Sequence, residues 1–156
     1  MTETEFRLNG RVVRGQMADY ATLAAYLRDN LGHFEVKAGC GEGVCGACTV
    51  LLDGEPLASC LLLARQAEGC TVETVAAAAD GLRQALAEAF VRWEAAQCGY
   101  CTPGMLLTAY AYVKGGGSFD SPSIRRALAG NLCRCTGYQH IIDAIAEVVS
   151  TWPAEG

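Results

Sequence analysis

Nine cysteines occur in 156 residues, and eight of them stand in two tight groups. The first group is Cys40, Cys45, Cys48 and Cys60; the second is Cys98, Cys101, Cys133 and Cys135; Cys70 is left over. Thiols at such spacing either pair as disulfides or bind metal. The count is odd, and Met1 to Asn9 alternates charged and polar residues without the apolar core of an export signal. At about 6% of the chain, cysteine also falls below the ~8–10% of a disulfide scaffold. Metal or cluster ligation is therefore the chemistry to weigh.

The stretch from Gly39 to Cys48 has C-x4-C-x2-C spacing, the pattern of plant-type two-iron sites. Four glycines between residues 39 and 46 remove Cβ clashes from a loop that must curl around inorganic sulfide. Freed N–H groups in such a loop can point at the sulfur and offset its negative charge. Cys60 arrives after a hairpin and would close the site from the other side. Deprotonating one thiol of pKa ~8.5 costs about 2 kcal/mol at pH 7, so four cost about 8. Structural zinc releases ~10–16 kcal/mol in small peptides, so metal binding can exceed that cost and zinc is the competing occupant. Zinc sites more often use short C-x2-C knuckles without so much glycine.

In the second group, Cys98-Gly99-Tyr100-Cys101 precedes Thr102-Pro103, and Cys133-Arg134-Cys135 precedes Thr136-Gly137. Each pair is expected at the start of a helix, where the partial positive charge favours thiolates. Two such ends facing each other make a four-thiolate pocket for a cluster. A lone C-x2-C also occurs in redox dithiols, so zinc and a dithiol remain alternatives here.

The elements that must position these groups change character along the chain. The first ~75 residues read mainly as strands. Phe6 and Leu8 alternate with polar neighbours before the hairpin signal Asn9-Gly10, and Val12-Val13 follow. A helix is predicted from Thr22, with Leu23, Tyr26 and Leu27 on one face and Asn30 and Gly32 at its end. A second hairpin runs from Thr49 to Leu52, turns at Asp53-Gly54 and returns through Glu55 to Leu57; Thr71 to Val75 reads as a closing strand. Beyond a boundary at Ala76 to Asp80 the pattern is helical. Leu82, Leu86, Ala89, Phe90 and Trp93 form one stripe. Pro103 opens a helix to about Lys114, which Gly115-Gly116-Gly117 breaks. Ser121-Pro122 caps a short helix through Leu128. Ile141, Ile142, Ile145, Val148 and Val149 supply a last apolar face.

Composition sets the remaining limits. Apolar residues make up 51% and charged residues 19%, which suits a packed core. A net charge of −5 argues against nucleic acid. No run approaches ~18 apolar residues, so no membrane span is expected. The chain is read as cytoplasmic.

Three strings coincide in order: Gly39-Cys-Gly-Glu-Gly-Val-Cys-Gly-Ala-Cys48, Gln97-Cys-Gly-Tyr-Cys-Thr-Pro-Gly104 and Gly130-Asn-Leu-Cys-Arg-Cys-Thr-Gly-Tyr138. Together they closely resemble the iron–sulfur subunit of the xanthine oxidase family of molybdenum hydroxylases, over residues 4 to 150. The eleven residues between Cys48 and Cys60 also fit that pattern better than plant ferredoxins. The resemblance implies an α+β chain: a β-grasp two-iron ferredoxin domain, residues 1–77, then an all-α four-helix domain, residues 78–156. Each would hold one 2Fe–2S cluster on its four cysteines. It further implies electrons that leave a molybdenum–pterin centre, cross the helical-domain cluster, then the ferredoxin-domain cluster, and reach FAD. Molybdenum and flavin are expected on partner chains, a molybdenum-binding large subunit and an FAD-binding medium subunit, in a dimer of heterotrimers. The family's cofactor-touching positions map onto Gln97 and Cys135.

Two readings compete with an oxidoreductase subunit: a free-standing two-cluster ferredoxin and a zinc-binding interaction module. A subunit should show apolar patches around both cysteine loops, whereas a soluble carrier should be acidic throughout. Cys70 is expected to be buried and inert, His33 a surface residue, His140 structural or interfacial, and Glu42 a solvated loop carboxylate. No serine or cysteine stands beside a base as a nucleophile would, so the chain is expected to lack substrate chemistry of its own.

Overall fold

The computed structural model describes residues 1–153; residues 154–156, the end of the expected second segment, lie outside the described residues. The first strand, β1 (Thr2–Leu8), folds back on β2 (Arg11–Met17) with Phe6 opposite Val13. The turn needs two residues at positive φ, and Asn9 at 50° and Gly10 at 84° supply them. The hairpin of β3 (Thr49–Leu52) and β4 (Glu55–Ala58) uses the same device, with Asp53 at 50° and Gly54 at 90°. The closing strand β5 (Thr71–Glu73) pairs parallel to β1 and antiparallel to β3, giving the order β2-β1-β5-β3-β4.

Helix α1 (Leu23–Ala25) starts at Thr22, whose hydroxyl accepts the Ala25 N–H at 3.2 Å. It is shorter than the periodicity suggested and continues as a π-helical turn, Tyr26–Asn30. There the Leu31 N–H reaches the Tyr26 carbonyl five residues back, while Tyr26 and Leu27 stay buried. Leu23 and Leu27 pack with Phe6, Leu8, Met17, Val50 and Val72 in one core.

Four helices follow: α2 (Gly81–Arg92), α3 (Thr102–Lys114), α4 (Ser121–Ala127) and α5 (Gln139–Thr151). Leu82, Leu86 and Phe90 share a second core with Met105, Ile124, Ile141 and Ile145. Strand β3 joins the two cores. Its side chains alternate, so Val50 enters the first and Leu51 the second, where α3 packs on the sheet. The described residues thus form a mixed α+β structure with one five-stranded sheet and five α-helices.

Two helix termini differ from expectation. Trp93 leaves the buried stripe at the end of α2, and its indole N–H donates to Glu147 on α5 at 2.6 Å. The cap of α4 is Asp120, which accepts the Ser123 N–H at 2.9 Å; Ser121 is already helical, with Pro122 behind it. A carboxylate one residue earlier reaches the free N–H groups that the serine hydroxyl was expected to take.

Candidate metal centres

The loop carrying Cys40, Cys45 and Cys48 links the π-helical turn to β3. Gly41, Gly43 and Gly46 adopt φ of 74°, 76° and 66°, so the chain curls where any other residue would be strained. The curl turns N–H groups inward. The Cys40 sulfur accepts from Val44 at 3.3 Å, Cys45 at 3.4 Å and Glu42 at 3.5 Å, and the Cys40 N–H donates to the Cys45 sulfur at 3.3 Å. These donors, Glu42 and Cys45 foremost, pull the Cys40 thiol down to about 6. Glu42 itself is exposed.

Cys60 comes to the loop through the β3–β4 hairpin. Ser59 is buried and donates its hydroxyl to the Cys48 carbonyl at 2.6 Å, which sets Cys60 beside buried Cys48. Burial, then the Cys48 thiol, pushes Cys60 up to about 11. A Cβ on Gly43 would overlap the Leu61 side chain, so the loop closes directly over the segment after Cys60.

The second group combines a helix start with a loop. Cys101 is the N-cap of α3 and Cys98 lies just upstream. Cys133 and Cys135 do not sit at the start of a helix as expected. They precede α5 by a loop, because the chain first reverses at Tyr138, an aromatic residue at φ 71°. The Tyr138 hydroxyl accepts the Cys133 N–H at 2.9 Å, which ties that reversal to the loop. Cys135 and Cys98 sulfurs stand 3.6 Å apart. Burial, then the facing Cys133, pushes Cys101 up to about 12. Burial also works on Cys133, yet the Thr136 hydroxyl at 3.1 Å and loop N–H groups outweigh it and hold that thiol low.

Each group therefore resolves into two facing pairs: Cys40 with Cys45 and Cys48 with Cys60, then Cys98 with Cys135 and Cys101 with Cys133. A two-iron cluster takes two thiolates on each iron. One tetrahedral zinc would need all four to converge on one point rather than face one another in two pairs. The donor set fits two-iron clusters, with N–H donors where anionic sulfur would lie.

Cys40 and Cys45 of the first group share one groove of about 300 Å³ with Cys98, Cys101, Cys133 and Cys135 of the second. Three contacts fasten its walls. Leu132 donates its N–H to the Cys45 carbonyl at 2.9 Å, and Tyr100 its hydroxyl to the Ala38 carbonyl at 2.6 Å. Asn131 donates to the Gly46 carbonyl at 3.1 Å. Sequence reasoning missed Asn131, Tyr100 and Ser59. Asn131 and Tyr100 lie inside the recognised strings, yet nothing local marks partners up to 85 residues away.

Gln97 is exposed in an open groove of about 670 Å³ with Phe90, Val91, Leu106 and His140. It does not cap α3. Cys70, just before β5, is half-buried rather than enclosed; burial and Asp53 push it up. His33 is half-buried too, bonded to Glu35 at 2.7 Å.

Comparison with known proteins agrees with a chain built for iron and sulfur. Residues 6–75 match the model of the 2Fe-2S iron-sulfur cluster binding domain, and residues 71–146 match that of the 2Fe-2S binding domain, a second family. The chain is 47% identical over 148 residues to caffeine dehydrogenase subunit gamma of Pseudomonas sp. (strain CBB1), covering 92% of this chain and 89% of that protein. It is 40% identical over 152 residues to the xanthine dehydrogenase iron-sulfur-binding subunit of Escherichia coli O157:H7, covering 94% of each. A chain of quinoline 2-oxidoreductase from Pseudomonas putida 86 superposes with a TM-score of 0.87 at 42% identity, covering 96% of both. The protein belongs to the small iron–sulfur subunits of the xanthine oxidase family of molybdenum hydroxylases. Its close relatives are subunits of oxidoreductases.

Proposed function

We propose that this chain relays electrons from a molybdenum–pterin centre on a large partner subunit to FAD on a medium partner subunit. It would use a 2Fe–2S cluster on Cys98, Cys101, Cys133 and Cys135, then one on Cys40, Cys45, Cys48 and Cys60. The observation that carries this reading is the grouping of eight thiols into two sets of four, with Cys40 and Cys45 of the first set in one groove with all four of the second. Bound clusters supply one-electron acceptance and release. The chain's own residues hold them, aim N–H groups at the sulfur, and keep the two sites adjacent.

The division into a β-grasp domain, residues 1–77, and a four-helix domain, residues 78–156, follows the change from sheet to helices near Gly81. Exposed apolar residues favour a subunit over a free carrier. Val44 is 58% and Leu61 66% exposed beside the first loop, and Tyr100 and Leu132 are exposed beside the second. A partner surface would cover them. Gln97 and Cys135 are assigned to contact with the pterin: the exposed amide can both donate and accept, and the Cys135 sulfur keeps lone pairs beyond its iron bond. The assembly would be a cytoplasmic dimer of heterotrimers. No described helix is long and apolar enough to cross a membrane.

Elemental analysis of the purified complex tests the core of this reading. It expects about four iron and four acid-labile sulfide per copy of this chain. Zinc in place of iron would overturn it.

A further inference from the structure

The short segment before Cys133 is anchored by one buried amide. Asn131 is 4% exposed, and its side chain reaches three elements at once. Its Oδ1 accepts from the Thr108 hydroxyl on α3 at 2.8 Å. Its Nδ2 donates to the Gly46 carbonyl at 3.1 Å and to Thr49 Oγ1 on β3 at 3.2 Å. An amide nitrogen has two hydrogens, and both are engaged. The Thr49 hydroxyl donates in turn to the Gly46 carbonyl at 2.7 Å.

Gly46 follows Cys45 directly, and Asn131 stands two residues before Cys133. The amide therefore ties one thiol-bearing backbone to the other. The backbones also approach more closely than side chains would allow. A Cβ on Gly46 would run into the Gly130 carbonyl and the Asn131 side chain, and a Cβ on Gly104 into the Gly46 carbonyl. Such a close, buried contact can be held only if its polar groups are matched.

We infer that Asn131 is a positioning residue, touching neither cluster, that sets the distance between the two cysteine groups and so the electronic coupling between them. The inference rests on the two-cluster reading above. Packing alone could hold the domains together, but it would tolerate sliding; three directed hydrogen bonds from one side chain do not. Tunnelling falls steeply with distance, so a small slip at this point would show in electron exchange before it showed in iron content.

The test uses the complete complex with Asn131→Asp, which keeps the shape and the acceptor for Thr108 but loses both donors. Thr108→Val removes the remaining anchor, and Thr108→Ser restores its hydroxyl. Iron, labile sulfide and visible spectra are measured first, then the EPR splitting between the two clusters when both are reduced. The expected result is wild-type iron content with a smaller splitting in Asn131→Asp and Thr108→Val, returned to the wild-type value in Thr108→Ser. Unchanged splitting in either variant at full iron content overturns the inference. If Asn131→Asp does not assemble, the Thr108 pair decides alone. A wild-type complex with fewer than two clusters defeats the two-cluster reading instead, and the inference falls with it.

Discussion

The Leu132 N–H donates to the Cys45 carbonyl over 2.9 Å, placing the residue before Cys133 in contact with a member of the other cysteine group. The path from Cys133 to Cys45 through that contact crosses one hydrogen bond and otherwise only covalent bonds. Thiols separated by almost ninety positions in sequence become neighbours because α3 lies on β3. The arrangement suits a relay, in which two sites must exchange electrons without exchanging atoms.

Single thiols should be separable by site. Cys45→Ser is expected to lower iron by about half, because each group serves its own two irons. Substrate should still reduce the remaining cluster, while flavin reduction slows. Cys133→Ser should also lose about half of the iron and interrupt both. Rapid-freeze EPR on each variant complex follows the order of reduction; reduction of neither cluster in Cys45→Ser would reverse the proposed direction.

Tyr138 joins backbone conformation to the second group. Its φ of 71° is unfavourable for an aromatic residue, and the Cys133 N–H is bonded to its hydroxyl. Tyr138→Phe leaves that N–H without a partner at a cost of about 1–3 kcal/mol. Thermal unfolding should shift downward, and the cluster on Cys133 should be lost first on dilution. A variant with wild-type melting and iron retention would show that the hydroxyl is dispensable.

Arg83 latches the first helix of the second half onto the sheet. Its guanidinium pairs with Glu73 at the end of β5, and it stacks over the Tyr110 ring at 4.3 Å with only 10% of the side chain exposed. Arg83→Met should cost about 2 kcal/mol, combining one charge-assisted bond with a shielded cation–π contact. Arg83→Lys should recover little, because an ammonium cannot stack and fork at once. Denaturant midpoints for the three proteins measure this directly.

Asp80 caps α2 through the Arg83 N–H at 2.8 Å and accepts the Tyr110 hydroxyl at 2.7 Å. Burial alone would raise its carboxyl, but these donors and the charges of Arg83 and Lys114 prevail and hold it low. A carboxyl lowered by folding adds stability that is complete above its unfolded value, ~3.9, and fades as pH falls below that. Asp80→Ala should therefore cost about 1 kcal/mol at neutral pH. The difference in melting between wild type and Asp80→Ala should stay constant from pH 8 to pH 5. A difference that changes across that range would assign the effect to another group.

What was legible in the sequence was local. Asn9-Gly10 and Asp53-Gly54 announced their hairpins because two positive φ values leave few residue choices. The cysteine strings announced the candidate centres because thiolate spacing is itself the chemistry. What escaped was settled by distant partners. Leu51 looked like an ordinary strand residue, yet it faces the helical core because the sheet is covered on that side. Trp93 fitted the apolar stripe but turned outward to Glu147, and Asp120 took the cap expected of Ser121. Asn131 could not be valued before Gly46, 85 residues earlier, was seen against it.

Gln97 gives the sharpest separation between holding iron and receiving electrons. It adjoins Cys98, yet it is exposed, and the cap position of α3 belongs to Cys101. A side chain that neither packs nor caps can be removed with little effect on folding. Gln97→Ala should leave iron, sulfide and melting temperature unchanged. In the assembled complex the same change removes one amide that can donate and accept at a pterin edge. A hydrogen bond lost from a covered interface is worth about 1–3 kcal/mol. Cofactor retention should fall, or reduction of the nearer cluster by substrate should slow, while dithionite still reduces both clusters fully. Wild-type kinetics and cofactor content together would remove Gln97 from the electron path, and so would a structure of the complex with its amide far from any pterin atom.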